Sequence, residues 1–176
     1  MSLMVSGKQS IRLMATHDLE LVLAWRNHKE IRRYMYTQHE ITLAEHSAWF
    51  DRVSQDSSRQ LLIFESDQVP LGFINIHQIG LGGIADWGFY ADPAAPKGTG
   101  KKLGQLALKF AFTHAKLHKV CGQSLEQNVR SIKFHLHLGF KQEGTLREQH
   151  YDGQGYNDIV CFGLLASEWK INSLEV

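Results

Sequence analysis

Cysteine and proline are scarce in this chain, with two and three among 176 residues. Cys121 and Cys161 lie far apart, each inside an apolar strand-like run. That is not the spacing of a disulfide framework, and it points to a reducing, cytoplasmic setting. Net charge is scarce too: 19 Lys and Arg stand against 18 Asp and Glu, for a formal charge of +1. Without a long basic run the sequence shows no nucleic-acid footprint, and its partners are expected to be small molecules. No apolar stretch is long enough to span a bilayer, and the N-terminus has neither the charged nor the apolar region of a signal peptide. Repeats, linkers and low-complexity segments are lacking as well.

Histidine, by contrast, is abundant, with ten residues. His114 and His118 have helical i, i+4 spacing, but no third ligand stands nearby, and His135 and His137 would point to different faces of a helix. No metal site is expected.

At this length the chain suits one globular domain. Residues 1–8 are expected to be a disordered leader and residues 9–170 a single α/β domain. Ser10 to Met14 reads as a first strand, and Thr16 or Asp18 as the cap of a helix with Leu19, Val22 and Leu23 on its apolar face. Thr42-Leu-Ala-Glu45 has the form of a capping box that opens a second long helix. Gln60–Glu65, Val69–Ile79 and Ile84–Tyr90 then read as three antiparallel strands with short links. A helix from Gly100 to about Lys116 buries Leu103, Leu106, Ala107, Phe110 and Ala111. It returns the chain to a strand, Lys119–Leu125, parallel to Ile84–Tyr90. A helix over Asn128–Leu138 and a terminal hairpin around Asp152–Gly155 complete the pattern, with an exposed strand end after Leu164 that leaves room for a homodimer.

The segment with chemistry written into it runs from Ile84 into the helix after Gly100. An aromatic strand ends at Pro93 and Pro96, passes through Lys97-Gly98-Thr99-Gly100-Lys101-Lys102 and opens into that helix. The first turn of a helix has backbone N–H groups without internal acceptors and carries the positive end of the helix dipole. Glycines allow a phosphate to approach those donors, and three lysines add charge, so a diphosphate is the natural guest. A Walker loop is ruled out by Ala95 and Lys102, which occupy the places of its first glycine and its hydroxyl. The dinucleotide fingerprint is ruled out by Leu103 in the place of its third glycine.

These residues resemble the pyrophosphate loop of the GNAT superfamily of acetyl-CoA-dependent N-acetyltransferases, with Gly98 and Gly100 matching and Ala95 departing from the usual Gln or Arg. The stretch from Asn128 through Phe134 and His135 to Gly139-Phe140 resembles a second segment of that family at the expected spacing. The order of elements is similar over essentially the whole chain. The resemblance implies a GNAT fold: a mixed, mostly antiparallel seven-stranded sheet, splayed between its fourth and fifth strands and flanked by helices on both faces. It also implies acetyl-CoA as cosubstrate. Backbone groups of Phe89, Tyr90 and Ala91 would hold the pantetheine arm, with an N–H near Phe89 at the oxyanion. Lys97, Gly98, Thr99, Gly100, Lys101 and Lys102 would hold the pyrophosphate. Asn128 would touch the cofactor beside the splay and Phe134 would pack on the pantetheine.

Where the family often has a tyrosine that protonates the departing thiolate, this chain has His135. A phenol keeps its proton to about pH 10 and an imidazolium only to about pH 6.5, so both an acid and a bystander role stand for His135. A base is implied at Glu126, through water, or at His46.

Trp25-Arg26-Asn27, His46 to Phe50, and Tyr151 to Asp158 resemble the branch containing ribosomal-protein N-terminal acetyltransferases, and above all the acetyltransferases of pseudaminic acid biosynthesis. Those acetylate the 4-amino group of a UDP-linked 4-amino-4,6-dideoxy sugar. On this resemblance Arg26, His46 and Trp49, faced by Trp87, would bind the acceptor. The alternatives are a ribosomal-protein N-terminus, a polyamine or an aminoglycoside as acceptor, or a module that binds acyl-CoA without catalysis.

Overall fold

Asp67 and Gln68 both take positive φ, 51° and 66°. Such a pair makes the two-residue turn whose twist matches that of paired strands. It joins β3 (Arg59–Ser66) to β4 (Val69–Gln78), with Ser66 opposite Val69. The computed structural model describes residues 1–172, which form two compact units. One comprises Met1–His77 with Gly88–Phe110; the other comprises Gln78–Trp87 and the chain from Ala111 onward.

In the first unit β1 (Ser2–Ser6) and β2 (Gln9–Leu13) form a hairpin, and the strands follow in the order β1-β2-β3-β4, then the second half of β5 (Ile84–Ala91). Strand β1 lies in the stretch expected to be a disordered leader and is the eighth strand beyond the seven expected. Its backbone pairs with β2 from Ser2 opposite Arg12 to Ser6 opposite Gln9. Leu61, Ile63 and Phe73 share one face of β3 and β4. They form a core with Met14, with Leu19, Val22 and Trp25 of α1 (Leu19–Asn27), and with Phe50 and Val53 of α3 (Leu43–Val53). Leu62 and Phe64 occupy the opposite face, and there Gly72 comes close to α4 (Thr99–Lys109). A Cβ on Gly72 would lie 2.3 Å from Leu103 Cδ1 and 3.1 Å from the Tyr90 carbonyl oxygen.

The helix starts show how local sequence sets these positions. At α3 the capping box forms as expected: Thr42 Oγ1 accepts from the Glu45 N–H, and Glu45 Oε2 accepts from the Thr42 N–H at 2.7 Å. Asp18, one of the two expected caps, stands at the N-cap of α1, but its side chain makes no cap hydrogen bond there. Residues Thr16–Asp18 make a 3-10 turn, and the Asp18 carboxylate, 2 % exposed, accepts from both Arg12 terminal nitrogens at 2.7 and 2.8 Å and from the Ala15 N–H. Arg12 Nε donates to Glu65 at 2.7 Å, so one guanidinium ties β2, β3 and the start of α1 together.

In the second unit the strand order is β5-β6-β8-β7. The first residues of β5 pair in parallel with β6 (Lys119–Leu125) from Ile84–Lys119 to Asp86–Cys121, where the ladder ends. Strand β6 continues antiparallel against β8 (Tyr156–Leu165), which pairs on its other side with β7 (Lys141–Tyr151). Among the described residues the free edge of this sheet is β7, and β8, whose end was expected to leave room for a homodimer, lies between β6 and β7. α5 (Val129–His137) packs on this sheet, and α6 (Ala166–Asn172) follows β8. Among the described residues no helix is long and apolar enough to cross a membrane.

Candidate active site

Arg26 and Asn27 end α1, and both turn their side chains onto the following loop. The Asn27 amide acts like a short piece of strand: its Nδ2 donates to the Ile41 carbonyl at 2.8 Å and its Oδ1 accepts from the Ile41 N–H at 2.9 Å. Arg26 Nη2 donates to the Thr37 carbonyl at 2.7 Å. Trp25 points the other way, into the core. Arg32, in the short helix α2 (Lys29–Arg32), pairs with Glu40 at 2.8 Å. The loop from α2 to α3 is thus fastened at Thr37, Glu40 and Ile41.

Between this loop, α3 and the sheet of the first unit lies a cavity of about 370 Å³. Its walls are Thr37, His39 and Ile41 of the loop, Glu45, His46 and Trp49 of α3, Arg26, and the sheet residues Phe73 and Tyr90. Trp49 stacks on His46 with ring centres 5.1 Å apart and meets Phe73 edge-on, while Phe73 lies 5.1 Å from Tyr90. Three of the four residues expected at the acceptor site, Arg26, His46 and Trp49, come together here.

The polar groups of this cavity are unevenly satisfied. Arg26 is 9 % and His46 5 % exposed, and among the described residues Arg26 Nη1 and His46 Nε2 have no hydrogen-bond partner. Burial and, less strongly, the Arg26 charge push the His46 imidazolium below its usual pKa, so the ring is neutral near pH 7. Burial pulls the Arg26 guanidinium down, against the pull of Tyr90 and with the push of Arg32, yet a guanidinium stays charged in a protein. Burial drives the Tyr90 phenol well above its ordinary range, and it stays protonated. The single carboxylate in the wall, Glu45, is held below the usual carboxylate range by the Thr42 cap and by His39. The wall therefore offers a buried guanidinium and a neutral imidazole, and its carboxylate is already engaged.

At the start of α4, Gly98 is the cap, with φ at 92°. A side chain would be strained there, and the open space around its Cβ position leaves room for a ligand. Thr99 is buried, donating through Oγ1 to the Pro96 carbonyl at 2.7 Å. Lys97, Lys101 and Lys102 are exposed, no acid stands in the first turn, and the Gly100 and Lys101 amides have no intrahelical acceptor. These residues fit an anionic diphosphate such as that of acetyl-CoA. Phe89, Tyr90 and Ala91 lie just before, at the end of β5, past the point where its ladder to β6 ends.

The other expected residues belong to the second unit. Asn128 caps α5, its Oδ1 accepting from the Ser131 N–H at 3.1 Å. Phe134 stacks on Trp87 with centres 6.4 Å apart. Glu126 is exposed, its backbone N–H donating to the Asp158 carbonyl. Trp87 is not in the cavity wall; it is buried, and its indole Nε1–H donates to His135 Nε2 at 3.1 Å. His135 Nδ1 lies 2.8 Å from the Ser131 carbonyl oxygen, which can only accept, so Nδ1 carries the ring proton. The ring is 2 % exposed and stacks on Phe162 at 4.8 Å. With Nδ1–H bound to a carbonyl and the Nε2 lone pair facing an indole N–H, these bonds fit the bystander role, one of the two left open for His135.

Phe73, Thr37 and the Tyr90 side chain are cavity residues that the sequence does not signal. Among the described residues no group of three or more His, Cys, Asp or Glu is placed to hold a metal ion.

A sequence model of the acetyltransferase (GNAT) domain matches residues 10–141. Among curated proteins, acetyltransferase PseH of Campylobacter jejuni is 30% identical over 123 residues, covering 68% of this chain and 74% of that one. The SPbeta prophage-derived uncharacterized N-acetyltransferase YokL of Bacillus subtilis is 26% identical over 168 residues, 93% of this chain and 94% of its own. The crystal structure of spermidine N-acetyltransferase from Vibrio cholerae in complex with CoA and spermine superposes with a TM-score of 0.86 at 21% identity, covering 94% of this chain and 99% of that one. At that identity the likeness is one of fold.

Proposed function

This chain belongs to the GNAT acetyltransferase family and is an acetyl-CoA-dependent N-acetyltransferase; from that premise we propose that its acceptor is the 4-amino group of a UDP-linked 4-amino-4,6-dideoxy sugar. The observation that carries this reading is Arg26, which lines the cavity and whose buried Nη1 has no hydrogen-bond partner among the described residues. An unmatched buried cation calls for an anion, and a nucleoside diphosphate supplies one through charge-assisted hydrogen bonds. Trp49, Phe73 and Tyr90 give the same cavity the aromatic surface that a pyrimidine ring packs on. A polyamine asks for the reverse, carboxylates free to receive ammonium groups, and Glu45 is committed to its helix cap and to His39. The resemblance of Arg26, His46 and Trp49 in their sequence context to the pseudaminic acid acetyltransferases supports the same acceptor.

On this reading the lysines and open amides of Lys97–Lys102 hold the pyrophosphate of acetyl-CoA, which supplies the activated acetyl carbonyl. The chain itself orients the acceptor amine, excludes water through the aromatic wall, and provides charge for the acceptor diphosphate.

The test is a rate comparison with acetyl-CoA as donor and either the UDP-4-amino-4,6-dideoxy-N-acetyl-altrosamine or spermidine as acceptor, with products identified by mass. Acetylation of the sugar nucleotide, inhibited competitively by UDP, is the expected result. Acetylation of spermidine without turnover of the sugar would move the assignment to a polyamine acceptor.

A further inference from the structure

Among the described residues, His46 is the ring in the cavity wall whose buried nitrogen has no hydrogen-bond partner. Its Nε2 has no partner, its plane is fixed by the stack on Trp49, and its backbone is set at the start of α3 by the Thr42–Glu45 cap. A buried polar atom left unmatched costs stability, and one on a side chain that lines a cavity is a place where a ligand that reaches it can restore the missing bond.

We propose that His46 is the general base of the transfer, its Nε2 taking a proton from the acceptor amine as it enters the cavity. This rests on the reading of the cavity as the acceptor site. The acceptor arrives as an ammonium ion, R–NH3+. With the ring proton on Nδ1, the Nε2 lone pair removes one proton and leaves a neutral amine and an imidazolium. The amine nitrogen bonds to the thioester carbonyl carbon, the carbon–sulfur bond breaks, and the sulfur keeps that electron pair. A second proton from the nitrogen goes to the sulfur to complete the thiol, and the imidazolium returns its own proton to solvent. The sum is an amide, a thiol and one released proton.

The charged and titratable groups around His46 suit this task from each packed element. Burial chiefly, and the Arg26 charge on α1 less strongly, keep the ring neutral, and that charge also opposes an ammonium ion beside it. Glu45 on α3 is engaged with Thr42 and His39, which leaves no carboxylate to hold the imidazolium in place. Tyr90, on β5, stays protonated and neutral. His39, from the loop, faces Glu45 at 3.3 Å.

The experiment is the pH profile of kcat/KM for His46→Gln beside the unaltered enzyme, from pH 5.5 to 9.5 in order-of-magnitude steps of proton activity. The unaltered enzyme reaches its plateau once the imidazole is neutral. The variant has only the free-amine fraction of the acceptor to use, so its rate keeps rising with pH up to the amine's own pKa. The expected deficit is about 100-fold near neutral pH and narrows in alkaline solution. A variant within about twofold of the parent at pH 7, with the same profile, overturns the proposal. If His46→Gln does not melt cooperatively with acetyl-CoA bound, His46→Asn is read in the same way. The profile is taken on whichever amine is acetylated, sugar nucleotide or spermidine. The identity of that amine tests the acceptor, and the shape of the profile tests His46.

Discussion

Trp87 and His135, 48 residues apart in sequence, share a buried hydrogen bond in which the indole N–H donates to the imidazole Nε2 at 3.1 Å. A second bond, from Nδ1–H to the Ser131 carbonyl, fixes the tautomer that makes the first one work. The histidine is thereby a piece of core that accepts on one side and donates on the other.

His135→Phe fills the same space and removes both bonds. The expected cost is about 1 to 3 kcal/mol from the indole N–H and Ser131 carbonyl left unmatched, read as a lower urea midpoint. The transfer rate per folded molecule is expected to stay the same. A large fall in kcat with unchanged stability would favour the acid role.

The pH dependence of stability follows from the same ring. Burial lowers the His135 pKa, partly offset by the bond to Ser131, so the folded state resists a proton that the unfolded chain accepts. Stability should therefore fall as pH drops below the unfolded value of about 6.5 and level off below the folded pKa. His46, lowered in the same direction, adds to the slope. Urea midpoints from pH 7.5 to 5 should fall less steeply for His135→Phe than for the parent.

Gly122→Ala is expected to break this contact from the sheet side. An added Cβ would sit 2.5 Å from His135 Nε2 and 2.9 Å from Trp87 Nε1, directly against the bond. Overpacking of that kind costs about 1 to 3 kcal/mol, and indole fluorescence should report the displaced Trp87. An unshifted spectrum with an unchanged melting point would contradict the packing described.

Arg12→Met should be among the costly single changes in the first unit. It leaves the nearly buried Asp18 carboxylate without its bidentate partner, and breaking such a pair costs about 3 to 5 kcal/mol. Burial raises the Asp18 pKa, but the Arg12 and Ala15 bonds outweigh it and the net direction is down. Its contribution is thus present above the unfolded carboxylate pKa and lost as pH falls through the folded one. The parent should show that acid limb in its urea midpoints, and Arg12→Met should lose it.

Arg26→Met should weaken inhibition by UDP while leaving the affinity for acetyl-CoA unchanged. A hydrogen bond to a charged group is worth about 1.5 to 3 kcal/mol, which is roughly a 10- to 150-fold rise in the inhibition constant. Equal inhibition of variant and parent would remove the guanidinium from the acceptor site.

What the sequence discloses here follows the range of the interaction. The Thr42–Glu45 box and the glycines and lysines of 97–102 depend on neighbours a few residues away, and they are legible as spacing. The apolar stripe of α4 is legible because helical period fixes which residues share a face. The bond from Trp87 to His135, the tie of Arg12 to Glu65, and the place of Phe73 and Tyr90 in one wall depend on strand register, which no local pattern states. Strand β1 was hidden for a related reason: Ser2-Leu-Met-Val-Ser6 is short and mixed, and it is a strand because β2 offers it an edge.

The two side chains that close α1 have a consequence for recognition. Asn27 clasps Ile41 and Arg26 holds Thr37, so the rim of the cavity is ordered by folding before any acceptor arrives. A guest then loses its own freedom but need not impose order on a wandering loop, and little binding energy is diverted to that task. If the cavity takes the acceptor as proposed, these bonds make its rim a pre-set aperture that would select by shape at the moment of entry.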